Sequence, residues 1–349
     1  MGLPCGTYNV SYAKDMAIVR TKTQWIMLGV GLILLFCLPQ FLSTAWLAVV
    51  NLICITLTAV FGLAIMLGYT GLISLGHSAF VGVGAYTAAC IATKLFDGAG
   101  WSFWIAIPLA GIVAGVVGLA FGAPSLRVKG LYIALTTLAA QFILTWVFMH
   151  WGFLGGVRGI RLDPPSIGGI TLGSEASWFY FILVVTLVMG LMAKNLVRTR
   201  VGRAFIAIRD NDIAASGMGI DIFRYKMLAF FIGCFFAGVA GAMWGYYMGI
   251  AHYEHFTLMD SVWYLGMVVI GGMGFMMGAV FGTLLIRLLT EATAILAPRL
   301  PIVGEAQAAT LSYFVFGLVV VLFLILEPRG LAHRWEIFKA SYRLWPFSY

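Results

Sequence analysis

Long apolar runs alternate with short polar segments along most of this chain. Each run is about 20 residues long, which is enough for an α-helix to cross the roughly 30 Å hydrocarbon core of a bilayer. The pattern predicts spans at residues 25–42, 45–67, 72–93, 101–122, 130–150, 178–197, 226–250 and 309–327. A further run at 262–296 is too long for one ordinary span. The pattern therefore predicts an all-α polytopic membrane protein.

The distribution of basic residues predicts how the run at 262–296 is divided. If it forms two spans broken near Gly271, Gly272 and Gly274, 16 basic residues fall in the cytoplasm and four outside. A single span would instead send the basic C-terminal segment outside, against the positive-inside rule. We therefore expect about ten transmembrane or re-entrant helices, with both termini cytoplasmic.

This division gives three parts to the chain. Residues 1–24 form a cytoplasmic N-terminal segment, and residues 25–327 form the transmembrane domain. Residues 328–349 form a cytoplasmic C-terminal segment, in which Trp335, Phe338, Tyr342 and Trp345 recur near helical spacing. Such spacing among basic residues predicts an amphipathic helix at the membrane interface.

Composition agrees with a membrane protein. Hydrophobic residues make up 62% of the 349 residues and charged residues only 10%, whereas soluble domains have about 25% charged residues. The net charge of +8 then reports orientation in the membrane, and no nucleic-acid partner is expected. The five cysteines are scattered and show no CxxC spacing. No cleaved signal peptide is expected, because no short apolar core with a cleavage site precedes Lys22.

One hydrophilic segment, residues 198–226, interrupts the apolar chain. It carries six basic and three acidic residues, and such a segment cannot rest in hydrocarbon. Its sequence predicts a short helix over residues 211–217, begun by an Asp210–Asn211 cap and ended by Gly217 or Gly219 in a left-handed conformation. Two interpretations remain open, a surface helix that contacts a partner and a solvated loop on the positive side.

Two glycine-rich segments lie in opposite halves of the chain, at residues 68–86 and 270–285. Glycines at such places break membrane helices near the substrate path of transporters built from inverted repeats, but they also permit tight helix packing. His77, in the first segment, either faces the pathway or bonds a backbone carbonyl. The candidate pathway residues are Gly71, Ser74, Gly76, His77, Gly271, Gly272 and Gly274.

The sequence offers no support for an enzyme. It contains no GxxxxGK[ST], HExxH, GxSxG or CxxC motif. A metal site at His252, Glu254 and His255 is the weaker alternative to a solvated loop, because no further ligand lies nearby. Arg287 and Glu291 lie four residues apart in an apolar run, which favours a structural ion pair over a substrate site.

Six ordered stretches resemble the LivM-type permease subunit of ABC importers for branched-chain amino acids, a family shared with urea and amide permeases. They are GYTGLISLGHSAFVGVGAY at Gly68, LRVKGLYIALTTLA at Leu126, GGVRGI at Gly155, GRAFIAIRDNDIAASGMGID at Gly202, VVIGGMGFMMGAVFGT at Val268 and EPRGLA at Glu327.

The resemblance implies that residues 198–226 contain the coupling helix that contacts an ATPase. The family's Glu-Ala-Ala pattern, with a glycine four residues later, is matched by Ala214, Ala215 and Gly219, while the acid appears as Asp212. The implied coupling residues are Gly202, Arg203, Arg209, Asp212, Ala214, Ala215 and Gly219.

The resemblance also implies partners and a location. It implies a multi-pass permease in the lipid of the bacterial inner membrane, with a second LivH-like permease, two ABC ATPase subunits and a periplasmic substrate-binding protein. The partner subunits would hydrolyse ATP, and this chain would bind no cofactor. The sequence departs from the family at HYEHF (His252–Phe256) and at Leu72.

These departures leave the substrate open. Leucine, isoleucine and valine are the first expectation, and urea or short amides are the alternative. A secondary transporter that needs no ATPase is a rival from another class. The sparse charges of the predicted spans, essentially Arg287 and Glu291, disfavour it because they offer no proton relay.

Overall fold

A computed structural model of the chain describes residues 22–95, 102–125, 132–167, 170–296, 305–327 and 329–344. Its α-helices are α1 (Lys22–Phe41), α2 (Thr44–Leu63), α3 (His77–Cys90), α4 (Ser102–Ser125), α5 (Tyr132–His150), α6 (Glu175–Arg198), α7 (Arg200–Asp210), α8 (Asp212–Gly217), α9 (Ile222–Met248), α10 (Leu258–Gly271), α11 (Met276–Leu296), α12 (Glu305–Leu326) and α13 (Leu331–Leu344). Short π-helical turns at Ala64–Tyr69 and Ile91–Leu95 extend α2 and α3.

The helices match the predicted spans closely. Among the described residues, seven helices are long and apolar enough to cross a membrane, namely α2 to α6, α9 and α11. The pair α12 and α13, bent by 45°, is an eighth candidate, while the apolar part of α1 and the 14-residue α10 are shorter. The all-α polytopic fold is therefore confirmed. The orientation of the termini stays a prediction, and residues 1–21 lie outside the described part of the chain.

The predicted break within residues 262–296 is also confirmed, while a membrane crossing by the 14-residue α10 stays a prediction. Helix α10 ends at Gly271 and α11 begins at Met276, so the run is two helices with a break between them. Two of the intervening residues, Gly272 and Gly274, have φ values of 112° and 86°. Only glycine adopts such angles readily, which is why the helix stops at this place.

Helix α9 lies at the centre of the molecule, packed against α2, α3 and α4. Small residues allow this close packing: a Cβ added to Gly84 would lie 2.1 Å from the carbonyl oxygen of Gly238 on α9. A Cβ on Gly241 would lie 1.8 Å from the carbonyl oxygen of Val81. Because association within a membrane depends on van der Waals contact, these glycines fix how near α3 and α9 approach.

The predicted span at 72–93 begins later than expected. Its helix, α3, starts at His77, and residues 71–76 run through the protein without regular secondary structure. Gly71 has φ 71°, and a Cβ on Gly76 would lie 2.0 Å from the carbonyl oxygen of Thr137 on α5. The apolar pattern alone could not reveal this interruption, since Leu72 and Ile73 are as apolar as a helix would require.

Short strands close the end of the bundle opposite α7 and α8. Strand β1 (Ile160–Arg161) follows two 3₁₀ turns at Gly152–Leu154 and Gly156–Arg158, and pairs antiparallel with β4 (Ile250–Ala251). Between them in sequence, β2 (Ser166–Ile167) and β3 (Ile170–Thr171) form a hairpin. The β1–β4 pair holds together the segments that follow α5 and α9.

Candidate functional site at the two broken helices

The predicted short helix in the hydrophilic segment is present as α8, Asp212–Gly217. The side-chain oxygen of Asn211 accepts hydrogen bonds from the backbone N–H groups of Ile213 (3.1 Å) and Ala214 (3.0 Å). Gly219 follows the helix with φ 83°, which is the left-handed ending that the sequence predicts. Both capping predictions are confirmed.

Helix α8 and the residue that follows it present apolar side chains to solvent. Ile213 is 71% exposed and Met218 is 85% exposed, whereas Ala215 is buried on the inner face. Ala214 is exposed and Asp212 is half-buried. Exposed apolar side chains on a charged, water-facing segment are typical of a protein contact surface. This arrangement favours the surface-helix interpretation over a solvated loop.

Arg209, the penultimate residue of α7, joins this segment to both glycine-rich regions. Its Nη1 donates a hydrogen bond to the carbonyl oxygen of Gly68 (2.8 Å). The same Nη1 lies against Gly274, where an added Cβ would be 2.8 Å away. The rest of the guanidinium pairs with Asp210, through Nε (3.0 Å) and Nη2 (2.9 Å) to Oδ1. The sequence did not predict this inward contact.

The two glycine-rich segments themselves meet at this place. A Cβ on Gly68 would lie 2.8 Å from the backbone nitrogen of Gly274. A Cβ on Gly271 would lie 2.0 Å from the carbonyl oxygen of Gly278 on α11, and a Cβ on Gly330 would lie 2.4 Å from the Cα of Gly272. The predicted breaks are thus also closely packed backbone contacts, and their place beside a substrate path stays a prediction.

The remaining coupling candidates lie on α7 and its connection to α6. Gly202 is buried, and a Cβ there would lie 2.0 Å from the carbonyl oxygen of Val197, so it permits the sharp turn between the helices. Arg203 is exposed, and its Nη1 donates to the carbonyl oxygen of Arg198 (3.4 Å).

A charged cavity of 500 Å³ lies beside Arg209. Gly71 lines it from the first break, Asp212 from α8 and Lys226 from α9. The structure therefore brings Gly71, a pathway candidate, together with Arg209 and Asp212, two coupling candidates. Gly219 and Arg203 do not line this cavity.

The first turn of α3 depends on polar side chains from other helices. The backbone N–H of Leu75 donates to Thr137 Oγ1, that of Ala79 to Gln141 Oε1, and that of Ser78 to Ser261 Oγ, each at 2.9 Å. A helix that begins inside the bundle has no water to satisfy these donors. Sequence reasoning missed this role, although Gln141 is the only glutamine in the predicted span at 130–150.

The other pathway candidates in the first segment are buried inside the bundle. His77 is fully buried, and its Nε2 donates to the carbonyl oxygen of Ala59 on α2 (3.0 Å). This contact is the second of the two alternatives left open for His77. Ser74 is also fully buried, and its hydroxyl has no hydrogen-bond partner among the described residues.

The predicted ion pair between Arg287 and Glu291 is wrong. The Arg287 side chain turns instead toward α2, where Nε (3.0 Å) and Nη2 (2.6 Å) donate to Thr56 Oγ1. Spacing on one helix could not reveal a competing acceptor on another helix. In the HYEHF stretch, His252 Nε2 donates to the carbonyl oxygen of Val157 (3.0 Å). No group of three metal-ligating side chains occurs in the part of the chain that the structure describes.

Comparison with known proteins agrees with these features. The family model described as "Branched-chain amino acid transport system / permease component" matches residues 45–324. The chain is 29% identical over 339 residues to the "High-affinity branched-chain amino acid transport system permease protein LivM" of Escherichia coli (strain K12), which covers 89% of this chain and 75% of that relative.

Two further relatives show the breadth of the similarity. The LivM protein of Salmonella typhimurium is 30% identical over 298 residues, or 77% of this chain and 66% of that relative. The "Autoinducer 2 import system permease protein LsrC" of Shigella flexneri is 27% identical over 315 residues, or 86% of this chain and 85% of that protein. No solved structure gives a significant match.

The family match covers α2 to α11 and most of α12. Together with the seven apolar helices, it makes the chain a multi-pass protein of the bacterial inner membrane. The chain belongs to the family of branched-chain amino acid transport system permease components.

Proposed function

We propose that this chain is a permease subunit of an ATP-driven importer that moves branched-chain amino acids into the cytoplasm. It works with a second, LivH-like permease subunit, two ABC ATPase subunits and a periplasmic substrate-binding protein. The partners hydrolyse ATP, and this chain binds no cofactor of its own. The membrane-permease role rests on the family match, and the names of the LivM relatives support the substrate class.

The contact of Arg209 with Gly68 and Gly274 carries the mechanism. The ATPase binds the exposed face of α8 around Ile213 and Met218. Movement of α8 passes through Asp210 and Arg209 to both breaks. A partner shifts a conformational equilibrium only by its differential affinity for the two states. Because the Arg209 guanidinium contacts both breaks, a displacement of this side chain acts on both of them.

The glycine contacts suit this role because they have little room for intermediate positions. At Gly271 and Gly330 the backbones of neighbouring segments already touch. Closely packed interfaces tend to exchange between discrete arrangements and do not deform continuously. A displacement of Arg209 therefore changes the arrangement of α2, α10 and α11 together.

Reconstitution tests the function directly. The four kinds of subunit are assembled in proteoliposomes, and uptake of leucine, isoleucine and valine is measured with and without ATP. Urea and acetamide are measured in the same vesicles as the alternative substrates. We expect ATP-dependent uptake of the amino acids only. Uptake of urea or acetamide alone would contradict the substrate class, and uptake driven by an ion gradient without ATPase would contradict the importer.

A further inference from the structure

A small cavity with both signs of charge lies between α10, α11 and α12. Its volume is 270 Å³, and its lining includes Asp260, Trp263, Met267, Arg287, Thr290 and Tyr313. Ligand pockets begin at roughly this size. None of the seven pathway candidates from the sequence lines it. A charged pair facing one cavity inside an apolar bundle is costly unless the charges have a use.

One side of the Arg287 guanidinium is held by hydrogen bonds, and the other side is available to bind a ligand. Thr56 Oγ1 accepts from its Nε and Nη2, and this hydroxyl itself donates to the carbonyl oxygen of Leu52 (2.7 Å). Nη1 donates to no atom of the described residues, and Arg287 forms no ion pair among them. A positioned arginine with free N–H groups is suited to bind a carboxylate.

Asp260 is arranged in the same way. Its Oδ2 accepts from the backbone N–H of Thr257 (2.9 Å) and from Thr257 Oγ1 (2.6 Å), which completes the capping box of α10. Its Oδ1 accepts from no described residue. The carboxylate is thus fixed in place with one oxygen available to accept from an ammonium group.

The rest of the lining combines apolar surface from Trp263 and Met267 with the hydroxyl-bearing residues Tyr264, Thr290, Ser312 and Tyr313. Met267 is buried, and the Trp263 ring packs at a tilt of 35° on Phe316 with ring centroids 3.9 Å apart. The Tyr313 ring also lies near Trp263, with ring centroids 6.3 Å apart. Trp263 and Met267 offer apolar surface to an aliphatic side chain.

We infer that this cavity binds the zwitterionic head of an α-amino acid during transport, with the carboxylate on Arg287 and the ammonium on Asp260. The aliphatic side chain lies against Trp263 and Met267. This inference rests on the proposed function and deepens it, because it names the residues that recognise the substrate class. It also separates amino acids from urea and short amides, which carry neither a carboxylate nor an ammonium group to match the pair.

A reporter thiol tests binding at the site itself. In the assembled importer, Thr290→Cys places a small thiol in the lining, and its rate of alkylation is measured against the parent complex. We expect leucine to slow the alkylation. Leucinamide, which lacks the carboxylate, and 4-methylpentanoate, which lacks the ammonium, are each expected to need about tenfold higher concentration for the same protection.

Two variants assign the contacts to their residues. In the reporter background, Arg287→Gln is expected to raise the half-protecting leucine concentration about tenfold and to remove the preference for leucine over leucinamide. Asp260→Asn is expected to remove the preference over 4-methylpentanoate. Arg287→Lys, which keeps the charge but loses the planar fork, is expected to lie between wild type and Arg287→Gln. Glu291→Gln, one turn away and outside the cavity, is the matched control with wild-type protection.

The possible outcomes distinguish an error in the proposed binding site from an error in the proposed importer function. If the reporter complex imports leucine with ATP but leucine gives no protection, the site is wrong and the importer stands. Equal protection by leucine and leucinamide, or wild-type preferences in both variants, would also overturn the site. If the wild-type complex imports no branched-chain amino acid, the proposed function fails, whatever the thiol reports.

Discussion

At the scale of single residues, Gly217 and Gly219 show what the backbone near α8 requires. Neither would bring a Cβ within 4 Å of another group. Only Gly219 has a positive φ, 83°, which residues with a side chain rarely adopt. The two positions therefore differ in backbone strain and not in available space, which makes them a matched pair.

Replacement of Gly219 by alanine is expected to strain the end of α8 by about 1 kcal/mol. We expect the complex to assemble with less uptake per ATP hydrolysed, because the end of the contact helix is no longer fixed. Gly217→Ala is the control and should behave like wild type. Unchanged coupling in Gly219→Ala, measured as uptake and ATP hydrolysis in the same vesicles, would count against this role.

At the scale of elements, α3 depends on α5 and α10 for its first turn. Gln141 is central, because its Oε1 accepts from Ala79 N–H (2.9 Å) and Ser261 Oγ (3.3 Å) while its Nε2 donates to the carbonyl oxygen of Phe256 (2.7 Å). One side chain thus holds α3, α10 and the segment before α10 in place. No other described residue makes this combination of contacts.

Gln141→Leu leaves these groups unpaired inside the protein. Each buried unsatisfied group costs about 1–3 kcal/mol, so we expect a clear loss of thermal stability in detergent. The control is Thr136→Val on the same helix, since Thr136 donates only to the carbonyl oxygen of Tyr132 on its own helix (2.9 Å). Similar melting temperatures for the two variants would show that the cap is not structural.

The C-terminal helix α13 is held by an ion pair at its start. Glu327 accepts a hydrogen bond from Arg334 Nε, and this bond lowers the pKa of the Glu327 carboxyl. A carboxyl with a lowered pKa stabilises the folded arrangement above its unfolded pKa of about 4.3. That stabilisation is lost as the pH falls through the lower, folded value.

Hydrogen exchange of α13 is therefore expected to quicken, relative to the other helices, once the pH falls below about 4. Glu327→Gln should show the quicker exchange already at neutral pH and lose the dependence on pH. Glu336→Gln, on the exposed side of α13, serves as the control. A pH response that survives in Glu327→Gln would assign it to another group.

The sequence predicted the elements better than the contacts between them. The length of the apolar run and the distribution of basic residues were sufficient to predict the division of 262–296. The structure places the break at Gly272 and Gly274, whose positive φ values end a helix. The delayed start of α3 was missed, because the donors of Leu75 and Ala79 are satisfied by residues 62 positions away. Arg287 bonds Thr56, 231 positions away. Such pairings arise only when the chain is folded.

At the scale of the whole molecule, α8 must face the cytoplasm for an ATPase to reach it. Thiol labelling in intact cells tests this, with Met218→Cys directly after α8 and Phe153→Cys near the opposite end. The native side chains are 85% and 52% exposed. We expect an impermeant reagent to label Phe153→Cys only, and Met218→Cys only after the cells are opened. The unsubstituted chain provides the background from its own cysteines. Labelling of Met218→Cys in intact cells would reverse the predicted topology.

The proposed coupling depends on one connection, from α8 through Arg209 to the two breaks. Arg209→Gln removes the charged bond to Gly68 and leaves the outer face of α8 unchanged. Arg224→Gln is the control, because that side chain is 85% exposed and pairs with Asp221 at the start of α9.

The decisive measurement is uptake of leucine per ATP hydrolysed by the complete complex in proteoliposomes. We expect Arg209→Gln to assemble and hydrolyse ATP while this ratio falls about tenfold, the effect of losing one charged hydrogen bond. Arg224→Gln should keep the wild-type ratio. A wild-type ratio in Arg209→Gln would contradict the account.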